Sequence, residues 1–245
     1  MTSLEHFAAA LQAGGLVMPH PGLSLPQAYQ VAALRHRLRL AAGERPIGRK
    51  IGHTNPANWP AQGLSAPTWG WLYASSTEAP GERLRISAWR EPKVELECVL
   101  RLSRTPASSD ELPDCVDAMA MGLEIVDRPY PSWAIGVPDS VAAGGVHAGL
   151  RVGPWLPLDS AVLPALQAEL QVGAARSEGG SAGVFGNPLS ALARLMDVLA
   201  EQGAPPLQAG EWVTTGALAP ALPLRAGEPL WAQAAGLGTL SLRVV

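Results

Sequence analysis

The feature that most constrains the fold is a change of pattern along the chain. Residues 3–13 and the segment SLPQAYQVAALRHRLRLAAGE carry apolar residues at helical spacing, and Ser24 is placed as the N-cap of the second helix. From about residue 83 the chain instead consists of short β-rich segments separated by Gly, Pro and Asp: RLRIS, KVELECVLRL, GLEIVD, HAGLRVG, AELQVG, EWVTTGAL and GTLSLRV. We therefore expect a helical N-terminal part over residues 1–78 and a β-rich core over residues 79–245, within one continuous domain.

Two helices are predicted to interrupt the β-rich part. The segment NPLSALARLMDVLAEQG has Asn187 as an N-cap, Pro188 at the first helical position and Gly203 at its exit. A shorter helix is expected from Asp110 to Met119. Strands gathered in one part of the chain, with few helices between them, favour an α+β fold on an antiparallel or mixed sheet over a parallel βαβ sheet.

Composition narrows the class of partner. Charged residues make up 16% of the chain and the formal net charge is -3, which argues against a protein that binds nucleic acid through a basic surface. The start lacks a basic targeting region, and no uncharged apolar run reaches the roughly 18 residues of a membrane span. Only two cysteines are present, Cys98 and Cys115, without metal or redox spacing. We expect a cytoplasmic protein with a small-molecule partner.

Several common chemistries lack their motifs. The segment GGSAG at residues 179–183 fits G-x-S-x-G, but a nucleophile elbow needs a strong strand before it and a helix directly after it, so we interpret this segment as a flexible loop. No P-loop, no G-x-G-x-x-G after a strand and no pair of histidines at zinc-ligand spacing occurs. Nucleotide and zinc chemistry are therefore not expected.

Three glutamates lie within segments that are otherwise mainly apolar. Glu95 and Glu97 point to the same face of the predicted strand KVELECVL, which by itself is the pattern of a sheet with one wet face. Glu124 lies in the apolar run AMAMGLEIVDRPY, where the ordinary interpretation is an ion pair with an arginine such as Arg128. If the fold brings the three together, they raise each other's pKa unless a hard divalent ion, Mg²⁺ or Mn²⁺, neutralises them.

Many blocks of this chain resemble one known family in the same order. They are GRKIGHTN, KVELECVL, GLEIVD, the long segment from GNPLSALARLMDV to RAGEPL, and the closing AGLGTLSLRV. In these blocks the sequence resembles the 2-keto-4-pentenoate hydratase and 4-oxalocrotonate decarboxylase family of the fumarylacetoacetate hydrolase superfamily. The resemblance implies a mixed β-roll core with helices at the N-terminus, a divalent ion at the mouth of the core, a 2-oxo acid substrate and a homo-oligomer.

The resemblance also implies roles for individual residues. Glu95 and Glu97 match the E-x-E metal ligands, Glu124 matches the third carboxylate, and Lys50 matches a catalytic lysine that clamps the substrate carboxylate or relays a proton. In such enzymes the ion stabilises an enolate of the 2-oxo acid. Substrate contacts are implied for Ile51, Leu72, Asp139, Thr215 and Gly216.

The sequence departs from the family pattern in two places. Where hydratases read G-x-L-F followed by acidic residues, this chain has GWLYASS, so residues 74–76 offer no carboxylate. Where the family reads D-N-A-S-S, this chain has DSVAAGG, which keeps Asp139 but loses the asparagine and both serines. The metal chemistry is retained, but groups that would position a water or a proton are missing. Trp69, Trp71 and His53 are expected either to reshape the pocket or to serve as packing.

Three functions therefore stay open. The first is a metal-dependent lyase that hydrates an alkene or releases carbon dioxide from a 2-oxo acid. The second is a C–C bond hydrolase of the acylpyruvate type, which requires a base, with His53 or His147 as the candidates. The third is a non-catalytic partner subunit or ligand-binding relative that has lost its polar residues.

Overall fold

The computed structural model describes residues 2–245 and contains two β-sheets and six α-helices. The helices are α1 (Ser3–Ala13), α2 (Leu25–Ala41), α3 (Trp59–Gln62), α4 (Leu112–Cys115), α5 (Val137–Ala142) and α6 (Pro188–Glu201). The strands of the N-terminal half are β1 (Pro46–Gly52), β2 (Thr68–Tyr73), β3 (Thr77–Glu78), β4 (Arg83–Leu84), β5 (Lys93–Leu102) and β6 (Val116–Val126). Those of the C-terminal half are β7 (His147–Val152), β8 (Leu156–Pro157), β9 (Gln167–Val172), β10 (Ala175–Gly180), β11 (Trp212–Ala217), β12 (Leu222–Pro223), β13 (Pro229–Ala234) and β14 (Gly238–Val244).

The larger sheet is mixed and places β5 and β6 at its centre. Its strand order is β2-β1-β11-β5-β6-β7-β3, with β12 also on β5 and β8 also on β6. The pairs β1·β11 and β3·β7 are parallel, and the others are antiparallel. The smaller sheet has the order β10-β9-β13-β14-β4. The prediction of an α+β fold on a mixed sheet is confirmed.

Alternation along β5 explains why it lies at the centre. Val94, Leu96, Cys98 and Leu100 are fully buried in the main core, together with leucines of β9, β14 and α6. The opposite face of the strand carries Glu95 and Glu97. The strand therefore contributes one face to the core and the other to a cavity.

The N-terminal helices form a second, smaller core. Phe7, Ala8 and Val31 of α1 and α2 pack with Tyr130 and Val141. Both helices begin with capping boxes, Thr2 with Glu5 and Ser24 with Gln27, and Ser24 is the N-cap predicted from the sequence. No helix within residues 2–245 has the length and apolar character needed to cross a bilayer.

Three details differ from the sequence predictions. The front part is not only helical, because β1 and β2 belong to the larger sheet, which therefore crosses position 78. The helix predicted for residues 110–119 is present but too long. A 3-10 turn at Ser109–Glu111 leads into α4, which ends at Cys115, and β6 follows directly because its β-rich run pairs with β5. The flexible loop predicted for residues 179–183 is wrong: residues 179 and 180 end strand β10, which pairs with β9 through six residues, and residues 181–183 form a 3-10 turn.

Candidate functional site

A cavity of about 1380 Å³ lies over the polar face of the larger sheet. Lys50 of β1 and Glu95 and Glu97 of β5 line one side. The other walls come from the segments around residues 164–169, 176–183 and 217–221. The cavity is large enough for a small organic acid.

The three carboxylates that the sequence singles out converge at this cavity. Glu95 of β5 and Glu124 of β6 are direct partners in the antiparallel register. Residues opposite each other in such a pair point to the same face of the sheet. One oxygen from each of Glu95, Glu97 and Glu124 lies within 4.8 Å of the other two.

One carboxylate oxygen of Glu124 contacts both Lys50 and His147. Its Oε1 accepts from Lys50 Nζ at 2.8 Å and lies 2.9 Å from His147 Nδ1. Its Oε2 is buried and has no hydrogen-bond partner within residues 2–245. The suggested ion pair with Arg128 is wrong, because that arginine pairs with Glu91 instead.

Lys50 and Glu124 stabilise each other's charged forms. Burial lowers the pKa of Lys50, but the carboxylates, Glu124 foremost, outweigh burial and hold the pKa above its ordinary value. Burial would raise the pKa of Glu124, yet Lys50 and then His147 lower it to about 2. The pair is therefore ionised at neutral pH.

Glu95 and Glu97 behave in the opposite way. Burial, with Glu124 as a second cause, raises the pKa of Glu95 to about 7 despite Lys50. The same two causes hold the pKa of Glu97 well above its ordinary value. Without a cation the site therefore keeps protons that a bound cation would displace.

This shift predicts a pH dependence of stability in protein free of divalent ions. The pKa of Glu95 rises from an ordinary 4.5 to about 7, so the folded state binds more protons than the unfolded state between these values, and stability falls as pH rises through them. The difference in unfolding free energy between Glu95→Gln and the wild type should therefore shift by about 2 kcal/mol in favour of the variant as the pH rises from 5 to 8. Urea unfolding at both pH values, with a chelator present, measures this difference. His36 and His53, whose pKa values are lowered to about 4, have the opposite effect on stability, but they are present in both proteins and cancel in the comparison. A constant difference across pH would contradict the prediction.

Gly216 and Thr215 of β11 hydrogen-bond to Glu97 and to its neighbour Cys98 on β5. The backbone N–H of Gly216 donates to Glu97 Oε2 at 2.8 Å, and the Thr215 hydroxyl donates to the Cys98 carbonyl at 3.0 Å. Both groups therefore fix β11 and Glu97, and the predicted substrate contacts of these two residues stay a prediction. Gly216 has φ +106, and a Cβ there would lie 2.3 Å from Thr54 Oγ1.

Gly216→Ala should combine backbone strain with a collision. We expect a loss of about 2–3 kcal/mol in unfolding free energy, measured by urea unfolding, and weaker binding of divalent ions because Glu97 loses its orientation. Gly238→Ala is the matched control, since Gly238 has φ +101 but open space around it. Equal losses in both variants would show that the contact with Thr54 does not matter.

The remaining predicted contact residues are spread out. Ile51 lines the cavity and is buried. Leu72 is fully buried in a separate cluster with Ala120 and Leu150. Asp139 lies in the first turn of α5, where its carboxylate accepts from the backbone N–H of His20 at 3.1 Å. The structure brings neither Leu72 nor Asp139 to the cavity wall, although Ser140 reaches it.

The residues expected to reshape the pocket divide into two groups. Trp69 and His53 line the cavity. Trp71 instead stacks on His36 at 4.0 Å between ring centroids, with the Arg49 guanidinium 3.3 Å from its own ring centroid. Trp71 therefore fastens α2 to the sheet, which is a packing role.

One contact of the site was missed in the sequence. His147 Nε2 lies 3.0 Å from Ser76 Oγ, and that hydroxyl also donates to the Tyr73 carbonyl at 3.1 Å. The segment at residues 74–76, which lacks carboxylates, thus supports the histidine that holds Glu124. The only signal was the strand-like HAGLRVG with a histidine at its start, and no spacing rule links it to Glu124.

Comparison with known proteins gives a consistent result. The model of the fumarylacetoacetate (FAA) hydrolase C-terminal family matches residues 42–245. The chain belongs to the fumarylacetoacetate hydrolase family. A 2-keto-4-pentenoate hydratase of Burkholderia vietnamiensis is 35% identical over 226 residues, covering 90% of this chain and 86% of that protein. A 4-oxalocrotonate decarboxylase of a Pseudomonas species is 29% identical over 222 residues, with 89% and 86% covered.

A solved structure agrees on the fold of this family. The 4-oxalocrotonate decarboxylase from Pseudomonas putida G7, complexed with magnesium and adipate, superposes with a TM-score of 0.90 at 24% identity, covering 99% of this chain and 96% of that chain. The family resemblance read from the sequence is confirmed, as is the fumarylacetoacetate hydrolase type of fold. The chain is an enzyme of this superfamily, related to hydratases and decarboxylases.

Proposed function

We propose that this protein is a divalent-metal-dependent lyase that acts on a 2-oxo acid by hydration or decarboxylation. The observation that carries the proposal is the convergence of Glu95, Glu97 and Glu124 beside Lys50 at one cavity. The names of the relatives, 2-keto-4-pentenoate hydratase and 4-oxalocrotonate decarboxylase, support this substrate class and these two reactions.

The donor set fits a hard divalent cation. It consists of three carboxylates, and the buried Glu124 Oε2 has no partner within residues 2–245. An orphaned buried carboxylate oxygen is costly unless a cation or a donor satisfies it. All-oxygen ligands suit Mg²⁺ or Mn²⁺ better than softer metals, so we propose one of these two ions.

The residues around this set suit enolate chemistry. When bound, a divalent ion would supply a Lewis acid that stabilises the enolate of a 2-oxo acid. Lys50, also bonded to the Gly145 carbonyl at 3.1 Å, presents a fixed ammonium that could hold the substrate carboxylate or relay a proton. His147 orients Glu124, and Ile51 contributes an apolar wall that limits water.

Proton exchange tests the proposal directly. A simple 2-oxo acid such as 2-oxopentanoate is incubated in deuterated water, and loss of the C3 proton signal is followed by NMR in chelator-treated protein, with and without added Mg²⁺ or Mn²⁺. We expect exchange that requires the divalent ion. Tight binding of the ion without exchange or turnover of any 2-oxo acid would instead support a non-catalytic ligand-binding relative.

An acylpyruvate hydrolase is the second candidate. It is favoured by one observation, the presence of His53 on the cavity wall, since hydrolysis needs a base for water. Cleavage of an acylpyruvate in the same assay would identify this reaction, whereas hydration or decarboxylation of an unsaturated 2-oxo acid would identify a lyase.

We also propose a homo-oligomer in a reducing cytoplasm. Exposed apolar side chains on α2 and the preceding loop support a subunit contact: Leu16, Met18, Leu38 and Leu40. Both cysteines are free and buried. Light scattering on a gel-filtration column measures the mass, and a monomer of 25.6 kDa would contradict the oligomer.

A further inference from the structure

His53 has an unusual position on the cavity wall. It follows β1 directly, three residues after Lys50, and its backbone is in the left-handed region with φ 57. Non-glycine residues are uncommon there, and such strain clusters at functional sites. Two hydrogen bonds fix the residue: Nδ1 lies 2.8 Å from Thr68 Oγ1, and the carbonyl accepts from Trp59 Nε1 at 2.7 Å.

The imidazole has one nitrogen left for a ligand. Nε2 makes no hydrogen bond to any group within residues 2–245. Burial, with Lys50 as a second cause, lowers the pKa of His53 to about 4, so the ring is neutral at pH 7. If Nδ1–H donates to Thr68 Oγ1, the lone pair of Nε2 is free to accept a proton.

The other titratable side chains on the cavity wall are already engaged. Lys50 is an ion-paired cation, and Glu95 and Glu97 belong to the carboxylate cluster. Across the cavity Glu169 and Glu178 are paired with Arg176 at 2.8 and 2.7 Å. That leaves Lys93, whose ammonium lies 4.3 Å from the ring centroid of Trp133.

We propose that His53 is a catalytic residue that activates water for the hydration of a carbon–carbon double bond conjugated to the 2-oxo group, the reaction that the hydratase names of the relatives support. The inference rests on the proposed function, since it assigns one of its two reactions. It also gives the chain a base that its sequence lacks at residues 74–76, where no carboxylate is present.

The proposed step balances without a further reactant. The water oxygen bonds to C4 of the substrate, and the water proton passes to His53 Nε2. The electron pair of the C3–C4 double bond moves to form the enolate between C2 and C3. The imidazolium then gives up this proton and C3 of the enolate gains one, directly or through solvent water, which restores the 2-oxo group and the neutral imidazole. The net change is the addition of one water, and nothing has been oxidised or reduced.

His53→Asn and His53→Gly test the assignment with the full-length protein and Mg²⁺. Asparagine tolerates the left-handed backbone and still bonds to Thr68, but it cannot take the proton. We expect kcat for hydration of 2-oxopent-3-enoate to fall by about 100-fold or more. Deuterium exchange at C3 of 2-oxopentanoate and Mg²⁺ affinity should stay within about twofold of the wild type, because the carboxylate cluster is intact. Added imidazole should restore hydration in His53→Gly, which relieves the backbone strain and leaves room for the ring.

Controls separate this inference from the proposed function. His6→Asn, at an exposed position on α1, should leave hydration unchanged. Unimpaired hydration in both His53 variants would overturn the inference, as would loss of C3 exchange together with hydration, or His53-dependent cleavage of an acylpyruvate without hydration. Absence of C3 exchange in the wild type with Mg²⁺ would overturn the proposed function itself.

Discussion

Glu124→Gln should lower the affinity for Mg²⁺ or Mn²⁺ by about 100-fold or more and reduce C3 exchange to the uncatalysed rate. The side chain keeps its volume, so the packing of β6 is preserved. What is lost is the charge of the carboxylate that contacts Lys50 and His147 through Oε1 and leaves Oε2 buried and unpaired. Calorimetry or Mn²⁺ electron paramagnetic resonance measures binding, and NMR measures exchange.

Glu169→Gln is the matched control for this variant. Glu169 lines the same cavity from the opposite side and pairs with Arg176, outside the cluster of three carboxylates. Its replacement should change the affinity for the divalent ion by less than about threefold, because Glu169 is not one of the three carboxylates that converge. Its partly exposed ion pair with Arg176 also contributes little to stability. Wild-type ion affinity in Glu124→Gln would remove the basis of the proposed metal site.

Lys50→Met should produce the second large effect, on turnover and on stability together. The ammonium is buried 2.8 Å from Glu124 Oε1, and removing one partner of a buried ion pair costs about 3–5 kcal/mol. We expect that loss of unfolding free energy in chelator-treated protein at pH 8. It should be smaller at pH 5, where Glu95, with its pKa raised to about 7, is protonated and repels less. Added Mg²⁺ should restore much of the stability but not turnover, which should fall by about 100-fold or more.

Lys93→Met controls for the loss of a lysine from the cavity. Lys93 lies on β5 with its ammonium 4.3 Å from the Trp133 ring centroid, and it makes no ion pair within residues 2–245. Chemical unfolding of both variants with and without Mg²⁺ separates the two positions. Equal losses of stability would mean that contact with Glu124 is not what stabilises Lys50.

Much of the site was predictable because it depends on local alternation. Side chains alternate along a strand, so Glu95 and Glu97 had to share a face, and the apolar flanks placed Glu124 in a buried strand. Whether the three carboxylates converge depends on the register between β5 and β6, which the sequence does not give. In the structure this register pairs Glu95 with Glu124. The family resemblance implied that the three carboxylates bind one ion, but it did not give this register.

Contacts between distant segments were not predictable from the sequence. No spacing rule connects Ser76 with His147 or His147 with Glu124, because the links depend on β3 pairing with β7 and β7 with β6. The strand β10 was missed for a different reason. Its residues are glycines and polar side chains with low β-propensity, and pairing with β9 overrides that local preference.

The direct register between Glu95 and Glu124 has a consequence for how this protein can diverge. Two neighbouring strands in the middle of the larger sheet supply all three carboxylates, while the segments at residues 53–58, 74–76 and 137–146 that approach them are turns, short helices and loops. Substitutions in these segments can alter what is bound or how a proton moves without disturbing the ladder that holds the carboxylates. Selection on a new substrate therefore has separate positions on which to act. The segment at residues 74–76, which has no carboxylate, lies beside an intact cluster of Glu95, Glu97 and Glu124 and fits this separation.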